Sequence, residues 1–124
     1  MDFKIDTKTN FTLVTPVTNH LDANLAAALG QKWTELRQSG SQNLVVDLHN
    51  CLDANKEAFP LLVHMQQDFY LAACSLVFTG IQDIVLKELK DNEVDTILNI
   101  APTMDEATDI ISMEILERDL LSEE

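Results

Sequence analysis

Apolar residues change their spacing along this chain, and each spacing predicts an element. Residues 3–6 and 11–17 read as two short strands, and the polar Lys8-Thr9-Asn10 between them reads as a turn, which gives a hairpin. Across residues 24–37, Leu25, Leu29, Trp33 and Leu36 recur at i, i+4, i+8 and i+11, one stripe of a helix. Asp22 stands at its start, where a carboxylate can accept from free first-turn amides, and Ser39-Gly40-Ser41 ends it. Residues 43–48 are different: Leu44, Val45 and Val46 are consecutive, which predicts burial on both faces, as in a parallel strand covered by helices. Leu76-Val77-Phe78 repeats that pattern, and residues 96–100 are expected to repeat it again. Helical stretches at 59–71 and 81–90 separate these strands. A last helix begins after Pro102, with Thr103 as its cap and Glu106 three residues on, a capping box.

Strands alternating with helices predict an α/β fold with parallel pairing and right-handed crossovers. The expected architecture is a single domain over residues 1–124: a mixed, mostly parallel sheet, an N-terminal hairpin at its edge and about four helices. No internal repeat or low-complexity segment interrupts it.

Composition agrees with one compact domain: 124 residues, 46% hydrophobic. Two cysteines, Cys51 and Cys74, are too few and too far apart for a disulfide framework or a zinc site. The start Met1-Asp2-Phe3-Lys4 has no basic leader, and no run approaches the about 20 apolar residues of a membrane span, so a soluble cytoplasmic protein is expected. The net charge of -13, from 21 acidic against 8 basic side chains, disfavours nucleic acid and anionic membranes as partners. It fits plain solubilisation, or steering toward a basic patch on another protein.

Candidate chemistry is sparse. Asp22, Asp47 and Asp53 fall where one end of the sheet is expected, the end at which open α/β sheets bind ligands. Three carboxylates there invite a magnesium or small-ligand reading. The competing and preferred reading is that each caps a helix or loop. The three glycines, Gly30, Gly40 and Gly80, form no phosphate-binding loop. His20, His49 and His64 lack metal spacing and a neighbouring nucleophile. Cys51 lies in acidic surroundings that oppose a thiolate, with Lys56 as the one nearby cation. No catalytic residue, cofactor or metal is expected. On the last helix Met104, Ala107, Ile110, Ile111 and Ile115 form one apolar stripe, while Met113, Leu116 and Leu120 form a second that points elsewhere. That extra face predicts either a contact with another chain, such as a homodimer, or a C-terminal turn that is buried by the domain's own hairpin or frays.

Four segments, in order, resemble the STAS domain family, which includes anti-sigma-factor antagonists and the cytoplasmic tails of sulfate transporters. They are His20-Leu21-Asp22-Ala23, the strand Asn43-Leu44-Val45-Val46-Asp47-Leu48, Asp53 at the Asp-Ser-Ser-Gly loop, and Pro102-Thr103-Met104-Asp105-Glu106-Ala107. The resemblance implies partner switching: an unphosphorylated antagonist binds a serine-kinase-type anti-sigma factor or another kinase-fold ATPase, and phosphorylation of the loop serine breaks the contact. The loop departs from this pattern. Ala54 stands for the phosphoacceptor, Asn55 for the second serine and Lys56 for the glycine. Pro60 would be misplaced in a helix capped by Asn55, so the helix is expected to start near Phe59. The resemblance implies a partner surface of Asn50, Asn55, Lys56, Glu57, His64, Gln67 and Asp68. The implied role is a non-catalytic regulatory binding domain without the switch. An accessory subunit of a transporter ATPase is the alternative with the same fold.

Overall fold

The computed structural model describes residues 2–122. Strands β1 (Phe3–Thr7) and β2 (Thr12–Pro16) form the antiparallel hairpin, and β4 (Asn43–Asp47) and β6 (Ser75–Thr79) add parallel strands in the order β1-β2-β4-β6. Two short strands, β3 (His20–Leu21) and β5 (Asp53–Ala54), pair in parallel as a separate ribbon. Helices α1 (Ala23–Gln38), α2 (Phe59–Leu71), α3 (Asp83–Asp91) and α4 (Met104–Ser122) complete the domain, with one 3-10 turn at Lys56–Ala58.

The consecutive apolar triplets behave as their pattern predicts, because the sheet is covered on both faces. Leu44, Val46, Leu76 and Phe78 point into the larger core with Leu25, Leu29, Leu62, Phe69, Val85 and Leu89 of the first three helices. Val45 and Val77 point the other way, into a smaller core with Ala107 and Ile111 of α4. Trp33 and Phe69 stack across α1 and α2 with ring centroids 4.3 Å apart.

Helix starts follow their chemistry. Asp22 Oδ1 accepts from the Leu25 amide at 2.8 Å, and Thr103 Oγ1 accepts from the Glu106 amide at 3.2 Å. Pro60 lies in the first turn of α2, where its missing amide hydrogen removes no helical bond.

One expected element fails. Residues 96–100 do not form a strand; they contribute a single parallel bridge, Ile100 to Phe78. The Ile97 and Leu98 amides both donate to the Val94 carbonyl at 3.1 Å, which folds this stretch into a turn. Asp95 and Thr96 favour such local closure over a ladder. Phe78 still uses both its backbone groups, donating to Asn99 and accepting from Ala101, each at 2.9 Å.

Candidate functional site

The segment from Asn50 to Ala58 is laced onto the chain between β2 and α1. Asn50 Nδ2 donates to the Pro16 carbonyl at 3.0 Å, the Leu52 amide to Asn19 at 2.7 Å, and the Asn55 amide to Leu21 at 2.8 Å. Within the β3–β5 ribbon His20 is registered against Asp53 and Leu21 against Ala54. The His20 and Asp53 side chains meet at Nδ1 and Oδ1, 2.6 Å apart. This hydrogen bond, reinforced by the carboxylate's charge, raises the His20 pKa above its ordinary 6.5.

Ala54 is half-buried and packs against the larger core. Beyond it Asn55 turns outward, and its Oδ1 caps the 3-10 turn by accepting from the Glu57 amide at 3.0 Å. Asp53, Asn55, Lys56 and Glu57 are exposed, as are His64, Gln67 and Asp68 on α2. His64 Nε2 and Asp68 Oδ2 face each other at 3.5 Å, one helical turn apart. Asn50 differs from the rest: it is half-buried and its amide group is committed to Pro16.

The three aspartates do not form one cluster. Asp22 and Asp53 line an open depression of about 520 Å³ with His20, Asn55, Lys56 and Glu88. Asp47 instead serves its own loop, where its Oδ1 accepts from the His49 amide at 3.0 Å. Gly80, with φ of +70°, passes so close that a Cβ there would run into that carboxylate. Among the described residues no group of three potential ligands could hold a metal ion. Cys51 is buried, and burial pushes its thiol up to about 11, helped by the charges of Asp53 and Asp22. It is a protonated core thiol rather than a nucleophile.

Several residues of this surface carry no local sequence signal. His20 lies 33 positions from Asp53 and only the ribbon unites them. Leu52, 57% exposed, and Leu61, 42% exposed, are apolar residues beside the polar ones named above. On α4, Met113, Leu116 and Leu120 are exposed rather than covered by the hairpin. Among the described residues no helix is long and apolar enough to cross a membrane.

No family model matches the sequence, and no curated protein matches it. Solved structures do match. A variant of RsbS from Moorella thermoacetica superposes with a TM-score of 0.72 at 17% identity, covering 95% of this chain and 99% of that one. An anti-sigma factor antagonist from Mycobacterium paratuberculosis gives 0.69 at 15%, covering 90% and 93%. The anti-sigma factor antagonist SpoIIAA in its unphosphorylated form gives 0.68 at 13%, covering 90% and 96%. At these identities the likeness is one of architecture, and it spans at least 90% of the chain in each of the three: the chain has the STAS fold, the fold of the anti-sigma factor antagonists.

Proposed function

We propose that this chain is a non-catalytic regulatory binding domain that engages a protein partner through the Asp53 loop and the outer face of α2, without a phosphorylation switch in that loop. The observation that carries this reading is the loop's construction. Ala54 occupies the position the resemblance assigns to the phosphoacceptor, its methyl packs on the core, and residues 42–74 contain no serine or threonine. The loop is nonetheless tightly built by backbone bonds to Asn19 and Leu21 and by the His20–Asp53 pair. Preorganised backbone with exposed side chains lowers the ordering cost of association. Leu52 and Leu61 supply apolar area; Lys56, Glu57, His64, Gln67 and Asp68 supply the polar rim.

The partner class that fits the architecture is a kinase-fold ATPase of the anti-sigma type, and the domain is constitutively competent to bind it. Affinity capture from native-host lysate tests this, comparing the wild type with the double variant Asn55→Arg, His64→Glu. Recovery of a kinase-fold ATPase by the wild type alone is the expected result. A transporter ATPase lost in the same way would move the assignment to an accessory subunit, and identical recoveries by both baits would remove the loop surface from consideration.

A further inference from the structure

A groove of about 890 Å³ runs between the C-terminal halves of α2 and α4, with a lining that shares nothing with the Asp53 depression. Cys74, Leu76 and Ile97 line it, together with three apolar residues held largely in the open: Tyr70, 83% exposed, Leu71, 80%, and Leu121, 69%. Several polar groups of the lining already have partners. The Asn99 amide donates to Gln66 Oε1 at 3.0 Å, Asn99 Nδ2 to Glu114 Oε2 at 3.0 Å, and Gln66 Nε2 to the Leu76 carbonyl at 3.2 Å. A ligand entering this groove therefore meets chiefly apolar surface.

The groove is also negative. Glu114 and Glu117 line its α4 side. Arg118 is the one cation among the described lining residues, and its guanidinium is used inside the fold, donating to Ser75 Oγ at 2.7 Å and to Asn43 Oδ1 at 3.0 Å. Neither α2 nor α4 carries a basic residue in its described last turn to offset the partial negative charge of a helix C-terminus. The chain as a whole carries -13.

At about 100° per residue, Leu121 falls on the docked side of α4, between the directions of Ile110 and Ala107, and Glu117 lies between it and the exposed stripe of Met113, Leu116 and Leu120. The groove thus sets Leu121 opposite Tyr70 and Leu71 of α2 with Glu117 on its rim, an open trough between two helices that another helix covers by ridge-and-groove packing. A second copy of this chain would bring Glu114 and Glu117 against their own counterparts, and an anionic membrane would meet the same repulsion. We infer that this groove docks an amphipathic helix of a partner protein, one that presents a row of leucine-type side chains flanked by lysine or arginine.

A direct test uses the full chain and two synthetic helical peptides, leucines on one face and either lysines or glutamates on the other. Binding is followed by calorimetry and by backbone amide shifts. The lysine peptide is expected to bind equimolarly, to shift amides of residues 66–76, 97–99 and 114–121, and to weaken as salt rises. Glu117→Lys and Leu121→Ser are each expected to weaken it by about tenfold or more. Asp83→Lys, the same charge change on α3, and the Asn55→Arg, His64→Glu double variant are expected to leave it unchanged, which separates this groove from the Asp53 loop. The variants lie at exposed positions, and amide dispersion checks their folding. An equal loss with Asp83→Lys would reveal a response to overall acidity and overturn the inference. So would equal binding of the glutamate peptide, shifts confined to the Asp53 loop, or concentration-dependent self-association that Leu121→Ser abolishes.

Discussion

The His20–Asp53 pair gives the loop a pH dependence whose sign is fixed by the raised His20 pKa. Protonated His20 holds Asp53 fully below its ordinary value of 6.5, and the contribution fades as pH rises through the raised folded value. The protection of the Asn55 amide against hydrogen exchange, taken relative to the intrinsic rate at each pH, should fall over that window in the wild type, since this amide donates to Leu21 across the ribbon. In Asp53→Asn the His20 titration should return toward 6.5 and that window should vanish; an unmoved titration would mean that the pair does not form in solution. Cys51 gives a second residue-scale expectation. With its thiol near 11 and its side chain buried, it should resist thiol reagents until the chain unfolds, while the half-buried Cys74 reacts first. Gly80→Ala should destabilise the fold by more than about 1 kcal/mol, because alanine is strained at a φ of +70° and its methyl meets Asp47. A denaturant midpoint unchanged by that substitution would contradict the close approach.

Among the elements, α4 is the one whose attachment rests on a few identifiable contacts. Among the described residues it is the helix that covers the second face of the sheet, through Ala107 and Ile111 with Met104, Ile110 and Ile115 beside them. Arg118 then ties its last turns to the amino ends of β4 and β6 through Asn43 and Ser75. Asn43 is shared: its Oδ1 also accepts from the Ser75 amide at 3.0 Å, and its Nδ2 donates to the Asn10 carbonyl at 3.0 Å. Replacing Arg118 with methionine keeps much of the stem packing but leaves the Ser75 hydroxyl without this partner. Urea unfolding should show a loss of about 1–3 kcal/mol, and exchange protection should fall first in the C-terminal turns of α4. At the other end of the sheet, Asp22→Ala removes the side-chain N-cap of α1 and should cost about 1 kcal/mol.

For the whole molecule, the two questions are self-association and modification. The Met113, Leu116 and Leu120 stripe is open, yet the chain's charge opposes pairing of two copies. Sedimentation at moderate salt should therefore find a monomer for both the wild type and Leu116→Glu. A dimer in the wild type that the variant loses would assign this stripe to a self-interface instead. Intact-mass analysis of protein from its native host should find no phosphate on residues 53–58, since Ala54 replaces the hydroxyl and residues 42–74 contain no serine or threonine.

Periodicity alone determined most of the architecture, because burial dictates it. The triplets Leu44-Val45-Val46 and Leu76-Val77-Phe78 can be satisfied only by a sheet covered on both faces, and the stripe of Leu25, Leu29 and Trp33 only by a helix with one inner side. The capping roles of Asp22 and Thr103, and the start of α2 near Pro60, were equally local and equally legible. Contacts between distant positions were not. Residues 96–100 look like a strand in isolation, but bonds to Val94 turn all but the bridge at Ile100 away from the sheet. The union of His20 with Asp53, the separation of Asp47 from Asp22, and the joining of Tyr70, Leu76, Ile97 and Leu121 in one groove depend on how the helices settle on the sheet. Sequence spacing records which face of its own element a residue occupies; only tertiary packing decides what stands opposite.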